Sequence, residues 1–164
     1  CQRDAAGLMI GDSYRTWLAD RVQLLRECSA DGWRSLRALR EADESRDPEI
    51  AAGLLREAYL QTTSPRVAAD TASRLTALAL SANATAAAEP LAVSTILRSR
   101  INAFPRTADR SRILLCLGDL ESDALDNPRQ AVEDYRGALQ MKPDATTDLL
   151  IRSRLATLLS LIHI

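Results

Sequence analysis

The chain has 164 residues, enough for one ordinary domain or a short repeat array but not for two full domains. Alanine, leucine and arginine supply 27, 26 and 20 of them, whereas valine and isoleucine together supply 12, so the composition favours helices and argues against a sandwich, a barrel or a parallel α/β sheet. The 21 basic and 22 acidic side chains nearly cancel, which gives no whole-protein attraction to nucleic acid or to an anionic membrane.

Residues 1–30 are predicted to form an N-terminal helix or cap. Apolar residues around Trp17 recur at helical spacing and predict a helix over residues 12–28. The chain begins with Cys1 rather than methionine, and two interpretations stay open. Cys1 is either the edge of a fragment or the lipid-bearing first residue of a processed bacterial lipoprotein. Trp17 and Trp33 are expected to be core or staple residues rather than a ligand cage.

Seven further helices are predicted from apolar spacing and from three prolines, Pro48, Pro90 and Pro128, which lie 42 and 38 residues apart. Proline is favoured in the first turn of a helix, and an Asp or Asn before it can cap the helix. The helices are placed at 31–44, 48–62, 67–83, 90–103, 108–122, 128–141 and 147–159. They are expected to pair in order along the chain, with 31–44 against 48–62, 67–83 against 90–103 and 108–122 against 128–141, and with 147–159 opening a fourth pair.

A second recurring element falls between the prolines. It is the triplet Ser73-Arg74-Leu75, which recurs as Ser111-Arg112-Ile113 and as Ser153-Arg154-Leu155, at spacings of 38 and 42 residues. Trp33 occupies the position that corresponds to Leu75 and Ile113. Two interleaved series of this kind indicate an internal repeat of helical pairs, which bury their apolar faces by stacking on their neighbours.

The last complete unit carries a family resemblance. Leu117-Gly118, the run from Asn127 to Leu139 and then Pro143 resemble the tetratricopeptide repeat. In this resemblance Gly118 is the small residue that lets paired helices approach. The apolar face of the second helix is formed by Ala131, Tyr135 and Ala138.

The period of 38–42 residues departs from the family's 34, and Glu121 stands where the family has an aromatic residue. The resemblance covers residues 31–158 and implies an all-α solenoid of stacked antiparallel helix pairs, wound as a right-handed superhelix. It also implies a concave surface lined by the first helix of each pair.

The repeat puts Arg74, Arg112 and Arg154 at equivalent positions, with Leu115 three residues after Arg112. If these arginines face the concave surface, they form a series of guanidinium groups suited to a carboxylate-bearing peptide. Leu115 would then lie beneath one of them on the same helix face. The alternative is local pairing of solvated side chains, because Asp70 precedes Arg74 by four residues and Asp109 precedes Arg112 by three.

No catalytic, cofactor or metal site is predicted. The sequence has no glycine-rich phosphate loop and no Gly-x-Ser-x-Gly motif. Its three cysteines, Cys1, Cys28 and Cys116, are too widely spaced for a disulfide framework or a metal site, and Cys116 is expected to be a buried thiol. No apolar stretch is long enough to span a membrane.

The C-terminal residues 159–164 resemble the translation of a sequencing-library adaptor. We therefore expect them to be non-native, and with them His163, the single histidine.

Three functions remain open. The first is a non-catalytic scaffold that binds a protein or peptide through the concave face of the solenoid. The second is a cell-envelope lipoprotein with a structural role in an outer-membrane or secretion assembly, in which a lipid on Cys1 is the one link to the membrane. The third is the regulatory repeat region of a longer protein. The corresponding locations are the bacterial cytoplasm and the cell envelope.

Overall fold

A computed structural model of the chain describes residues 30–81 and 84–162. These residues form seven α-helices and two 3₁₀ turns, and no strand occurs among them, so the all-α prediction is confirmed. The helices are α1 (Ala30–Glu44), α2 (Pro48–Gln61), α3 (Pro65–Ala79), α4 (Pro90–Arg100), α5 (Ala108–Asp123), α6 (Pro128–Gln140) and α7 (Ala145–Ile162). The 3₁₀ turns are Ala86–Ala88 and Ile101–Ala103.

Three predictions fall on residues beyond this description: the helix over 12–28 with Trp17, the lipid on Cys1, and His163. The segment 159–164 is described as far as residue 162, and there it continues α7 beyond its predicted end. Within the described part of the chain, no helix combines the length and the apolar character needed to cross a bilayer.

Four helices begin at a proline that follows a capping side chain, and three of these prolines are the ones in the predicted series. Asp47 accepts a hydrogen bond from the backbone N–H of Glu49 at 2.9 Å, and Glu89 accepts one from Ala92 at 2.8 Å. A capping side chain satisfies an N–H group that has no partner inside the helix. The start of α3 was predicted two residues late, because the cap there is Ser64 before a proline outside the repeat series.

The first and third predicted pairs pack closely, α1 on α2 and α5 on α6. The second pair is looser: α3 lies mainly against α2 and α5, and its contact with α4 is smaller. Two apolar clusters fill the interior. One extends from α1 to α5, and the other joins α5, α6 and α7.

Hydrogen bonds attach α4 to α2. The Tyr59 hydroxyl donates to the carbonyl of Leu97 at 2.9 Å. In return the Arg100 guanidinium donates to the carbonyls of Tyr59 at 2.7 Å and of Thr62 at 3.0 Å, and it stands 5.6 Å from the centre of the Phe104 ring. A cation that donates to the last carbonyls of a helix offsets their missing partners. Arg100 therefore closes the C-terminal end of α2 and holds the end of α4 beside it.

The contact between α5 and α6 follows the predicted unit. Ala131, Tyr135 and Ala138 form one buried face of α6, each with no more than 1% exposure. A Cβ atom at Gly118 would lie 2.4 Å from Cε1 of Tyr135, so the small residue is required where the ring crosses α5. The Tyr135 hydroxyl then donates to Asp119 at 2.7 Å.

Candidate functional site

A groove of about 800 Å³ lies between α1, α3 and α5. All its lining residues come from these three helices, which are the first members of the predicted pairs. The lining consists of Trp33, Leu36, Arg37, Leu39, Arg40, Asp43, Arg66, Val67, Asp70, Arg74 and Arg112.

The apolar part of the groove combines buried and accessible side chains. Leu39 and Val67 are buried and form its floor, whereas Trp33 is 53% exposed. Of the two roles predicted for Trp33, core or staple, its exposure excludes the buried core. Its counterparts Leu75 and Ile113 are fully buried between neighbouring helices. In contrast, α1 and α3 meet over only a short stretch, and Trp33 is left open to the groove.

Arginines outnumber aspartates by five to two along the groove. Among the described residues, Arg37 and Arg40 pair only with a glutamate one turn further along their own helix. Arg37 donates to Glu41 at 2.7 Å, and Arg40 donates to Glu44 at 2.8 Å. These are exposed pairs one turn apart, which add little to stability and leave both guanidinium groups accessible.

Arg74 has two carboxylate partners. It donates to Asp43 on α1 and forms an ion pair with Asp70 on α3 at 3.1 Å. The local pairing with Asp70 that the sequence suggested is present. The hydrogen bond to Asp43 raises the pKa of Arg74, so the guanidinium stays charged at any pH at which the protein folds.

Arg66 and Arg112 are the remaining two of the five arginines that line the groove. Neither has a carboxylate partner within the described ranges 30–81 and 84–162, and the suggested pairing of Asp109 with Arg112 does not form there. Arg112 is half-buried and Arg66 is exposed. These two guanidinium groups are available for an anionic ligand group.

The other two predicted site residues lie outside the groove. Leu115 is 9% exposed and packs with Ala131 and Tyr135 in the cluster between α5 and α6. Arg154 forms an ion pair with Asp119 at 3.5 Å. The three arginines would be equivalent only if α3, α5 and α7 presented the same face to the groove. Instead, α7 packs mainly on α6, and Arg154 is turned toward α5.

A second cavity of about 470 Å³ adjoins the groove. It lies between the end of α1, the start of α2 and the second half of α3. Its lining residues are Ala42, Asp43, Ser45, Arg46, Pro48, Ala51, Leu55, Arg74, Ala77 and Leu78. Asp43 and Arg74 line both cavities, so their ion pair stands on the boundary between them.

A buried charged network lies away from the groove, where α4, α5 and α6 meet. Arg98 donates to both oxygens of Asp134, at 3.1 and 2.6 Å, and to Glu121 at 2.9 Å. Ser94 and Asn127 also donate to Glu121, at 2.9 and 3.1 Å. Burial raises the pKa of Asp134, and the hydrogen bonds from Arg98 oppose that rise. The network accounts for a carboxylate at this buried position, because Glu121 accepts hydrogen bonds from three side chains.

Cys116 is buried, as predicted, with its sulfur 3.7 Å from the Ser73 hydroxyl. Burial raises the pKa of this thiol to about 11, so it is protonated at neutral pH. Across the part of the chain that the structure describes, no group of three His, Cys, Asp or Glu side chains could hold a metal ion. The groove is therefore the candidate site for binding a ligand.

Comparison of the chain with protein-family models, with curated proteins and with solved structures gives no match.

Proposed function

We propose that the chain is a divergent tetratricopeptide-like solenoid, and that it acts as a non-catalytic interaction module. In this proposal the groove between α1, α3 and α5 binds a segment of a protein partner. The observation that carries it is the composition of the groove lining, which comes from the first helices of three successive pairs and from no other element. A concave surface of this origin is what stacked helical pairs offer to an extended ligand.

The side chains of the groove support a peptide rather than a small metabolite. Trp33 presents a large aromatic surface that is 53% exposed, and the neighbouring Leu36 is also part of the lining. Aromatic and arginine side chains carry most of the binding energy at protein interfaces, and here both types line one open groove. Arg112 and Arg66 add directional donors for carboxylate or carbonyl oxygens.

Panning a phage-displayed library of random 12-residue peptides on the full chain tests the proposal. Enriched peptides are then synthesised, and their dissociation constants are measured by fluorescence anisotropy. Trp33→Ala is expected to weaken their binding about tenfold or more, since loss of a central aromatic contact costs about 2 kcal/mol.

Leu91→Ala is the matched control, because Leu91 is 59% exposed on α4 and does not line the groove. This variant is expected to bind the same peptides within a factor of two. If no peptide is enriched, or if Trp33→Ala and Leu91→Ala bind equally well, the groove is not an interaction site.

A further inference from the structure

The ion pair between Asp43 and Arg74 lies where the groove meets the second cavity. Both residues line the groove and also the second cavity, and no other residue is common to the two linings. The pair joins the last turn of α1 to the middle of α3. Separation of the two side chains would therefore connect the cavities, while each helix would keep its own internal hydrogen bonds.

Apolar side chains are available on both sides of this boundary. The groove offers Trp33 and Leu36, and the second cavity offers Leu55, Ala77 and Leu78. A ligand that spans the boundary thus meets apolar surface, then Arg74, then apolar surface again.

The charge around the boundary is positive. Arg46 lines the second cavity, and Arg66 and Arg112 line the groove. None of these three has a carboxylate partner among the residues described. A ligand group at the boundary is therefore attracted if it carries negative charge and repelled if it carries positive charge.

We propose that Asp43 occupies the place of a ligand carboxylate. In this proposal, which rests on the proposed function, the ligand is an acidic peptide segment with apolar residues on both sides of a Glu or Asp. Its carboxylate displaces Asp43 from Arg74, and its apolar residues enter the two cavities. Asp43 is thus an autoinhibitory residue, and it sets the specificity of the groove for acidic segments.

The exchange is feasible because both partners face solvent. The side chains of Arg74 and Asp43 are 36% and 60% exposed, and ion pairs of this kind contribute little to stability. Asp70 lies on the same helix as Arg74 and keeps its own contact during the exchange. Arg74 therefore exchanges one charged hydrogen bond for another and is never left buried without a partner.

The test uses the peptides enriched by panning on the wild-type chain, each compared with a copy in which Glu and Asp are replaced by Gln and Asn. The enriched peptides are expected to be acidic, with apolar residues flanking the acidic one. Asp43→Asn is expected to tighten binding of the acidic peptide about twofold to fivefold, because the competing carboxylate is gone. It should raise the affinity for the amide copy less, because that copy has no carboxylate to pair with the freed Arg74.

Glu44→Gln is the matched control. It removes the same charge from the same turn of α1, but Glu44 pairs with Arg40 and lines neither cavity. The affinity of the Glu44→Gln variant for the acidic peptide should change less than twofold. Arg74→Gln should weaken binding of the acidic peptide about tenfold and bring it to the level of the amide copy.

The outcomes separate this inference from the proposed function. Enrichment of neutral or basic peptides that still depend on Trp33 would overturn the acidic specificity and leave the interaction module intact. Acidic peptides whose affinity is unchanged or weakened by Asp43→Asn would overturn the role of Asp43. Failure to enrich any peptide would overturn both proposals.

Discussion

Gly118 and Tyr135 are in such close contact that a single methyl group cannot be placed between them. A Cβ atom on Gly118 would lie 2.4 Å from Cε1 and 2.6 Å from Cδ1 of the Tyr135 ring. The ring is 1% exposed, and its hydroxyl is tied to Asp119 on the same helix as Gly118. It therefore has no free direction in which to move.

Gly118→Ala is expected to destabilise the protein by about 1–3 kcal/mol, which is the usual cost of overpacking a well-filled core. The gain in helix propensity from glycine to alanine is smaller, about 1 kcal/mol. The free energy of unfolding, measured by urea denaturation with circular dichroism, checks this prediction. The control is Gly53→Ala, because a Cβ there meets nothing within 4 Å, and this variant should gain about 0.5–1 kcal/mol. A Gly118→Ala protein as stable as the wild type would show that α5 and α6 do not pack as described.

Arg98 is expected to be the most sensitive charged position in the fold. Arg98→Met leaves Glu121 and Asp134, whose side chains are 7% and 6% exposed, without their shared cation. The loss should be about 3 kcal/mol, the low end for removing one partner of a buried pair, because Arg98 itself is 35% exposed. Thermal and urea unfolding measure it, and Arg136→Met, on the exposed side of α6, should change stability by less than about 0.5 kcal/mol. Equal stability of the two variants would mean that the network contributes nothing.

The defect of Arg98→Met should shrink in acid. Burial already raises the pKa of Asp134 above that of the unfolded chain, and the loss of Arg98 raises it further. Because the folded variant then binds a proton more tightly than the unfolded one, its stability relative to wild type should rise as the pH falls through the raised pKa. The gain is complete below the unfolded-state pKa of about 3.9. Unfolding free energies at about pH 7.5 and about pH 3.5, which bracket this range, measure the effect. In the double variant Arg98→Met with Asp134→Asn, the difference between the two pH values should be smaller. A defect of Arg98→Met that is constant with pH would contradict the prediction.

Arg100 should not be replaceable by lysine. The guanidinium donates to the carbonyls of Tyr59, Leu60 and Thr62 together, and a lysine ammonium does not reproduce this planar set of donors. Arg100→Lys is expected to cost about 1–2 kcal/mol, the value of one or two hydrogen bonds to a charged group. Hydrogen exchange of the amides in α4 should rise in this variant, because those contacts hold the end of the helix. An unchanged exchange rate of the α4 amides would show that the hydrogen bonds of Arg100 do not hold this helix in place.

The peptides selected on the groove should distinguish two arginines that the sequence repeat makes equivalent. Arg112→Gln is expected to weaken binding about threefold to tenfold, because Arg112 lines the groove and has no carboxylate partner among the described residues. Arg154→Gln should bind normally, since Arg154 pairs with Asp119 outside the groove. Fluorescence anisotropy measures both constants. Equal losses of peptide affinity in the two variants would support the arginine series predicted from the repeat and contradict a binding site confined to the groove.

Local signals in the sequence account for the parts of the fold that were predicted. A capping side chain and a proline act on the first turn of their own helix, so Asp47 with Pro48 and Asn127 with Pro128 fix helix starts without reference to the rest of the molecule. The apolar face of α6 is also local, because the spacing of its residues alone puts them on one side.

The surroundings of the candidate binding residues could not be predicted from the sequence, because they depend on which helices meet. Equivalent positions in the repeat give Arg74, Arg112 and Arg154 the same phase along their helices. The structure nevertheless pairs Arg74 with two carboxylates, leaves Arg112 in the groove and turns Arg154 toward Asp119. No periodicity could indicate Arg66, which lies outside the repeated triplet. The partnership of Arg98 with Asp134 joins residues 36 positions apart and has no local signature either.

Helix α5 contributes side chains to both apolar clusters, and residues that are neighbours in its sequence pack into different clusters. Cys116 and Leu117 belong to the cluster shared with α1 to α4, whereas Leu115 belongs to the cluster shared with α6 and α7. One residue inserted into the middle of α5 would rotate everything after it by about 100° and misalign both packing faces at once. An insertion is therefore expected to be tolerated in the connections before and after α5 but not within the helix, whose length sets the register of both clusters.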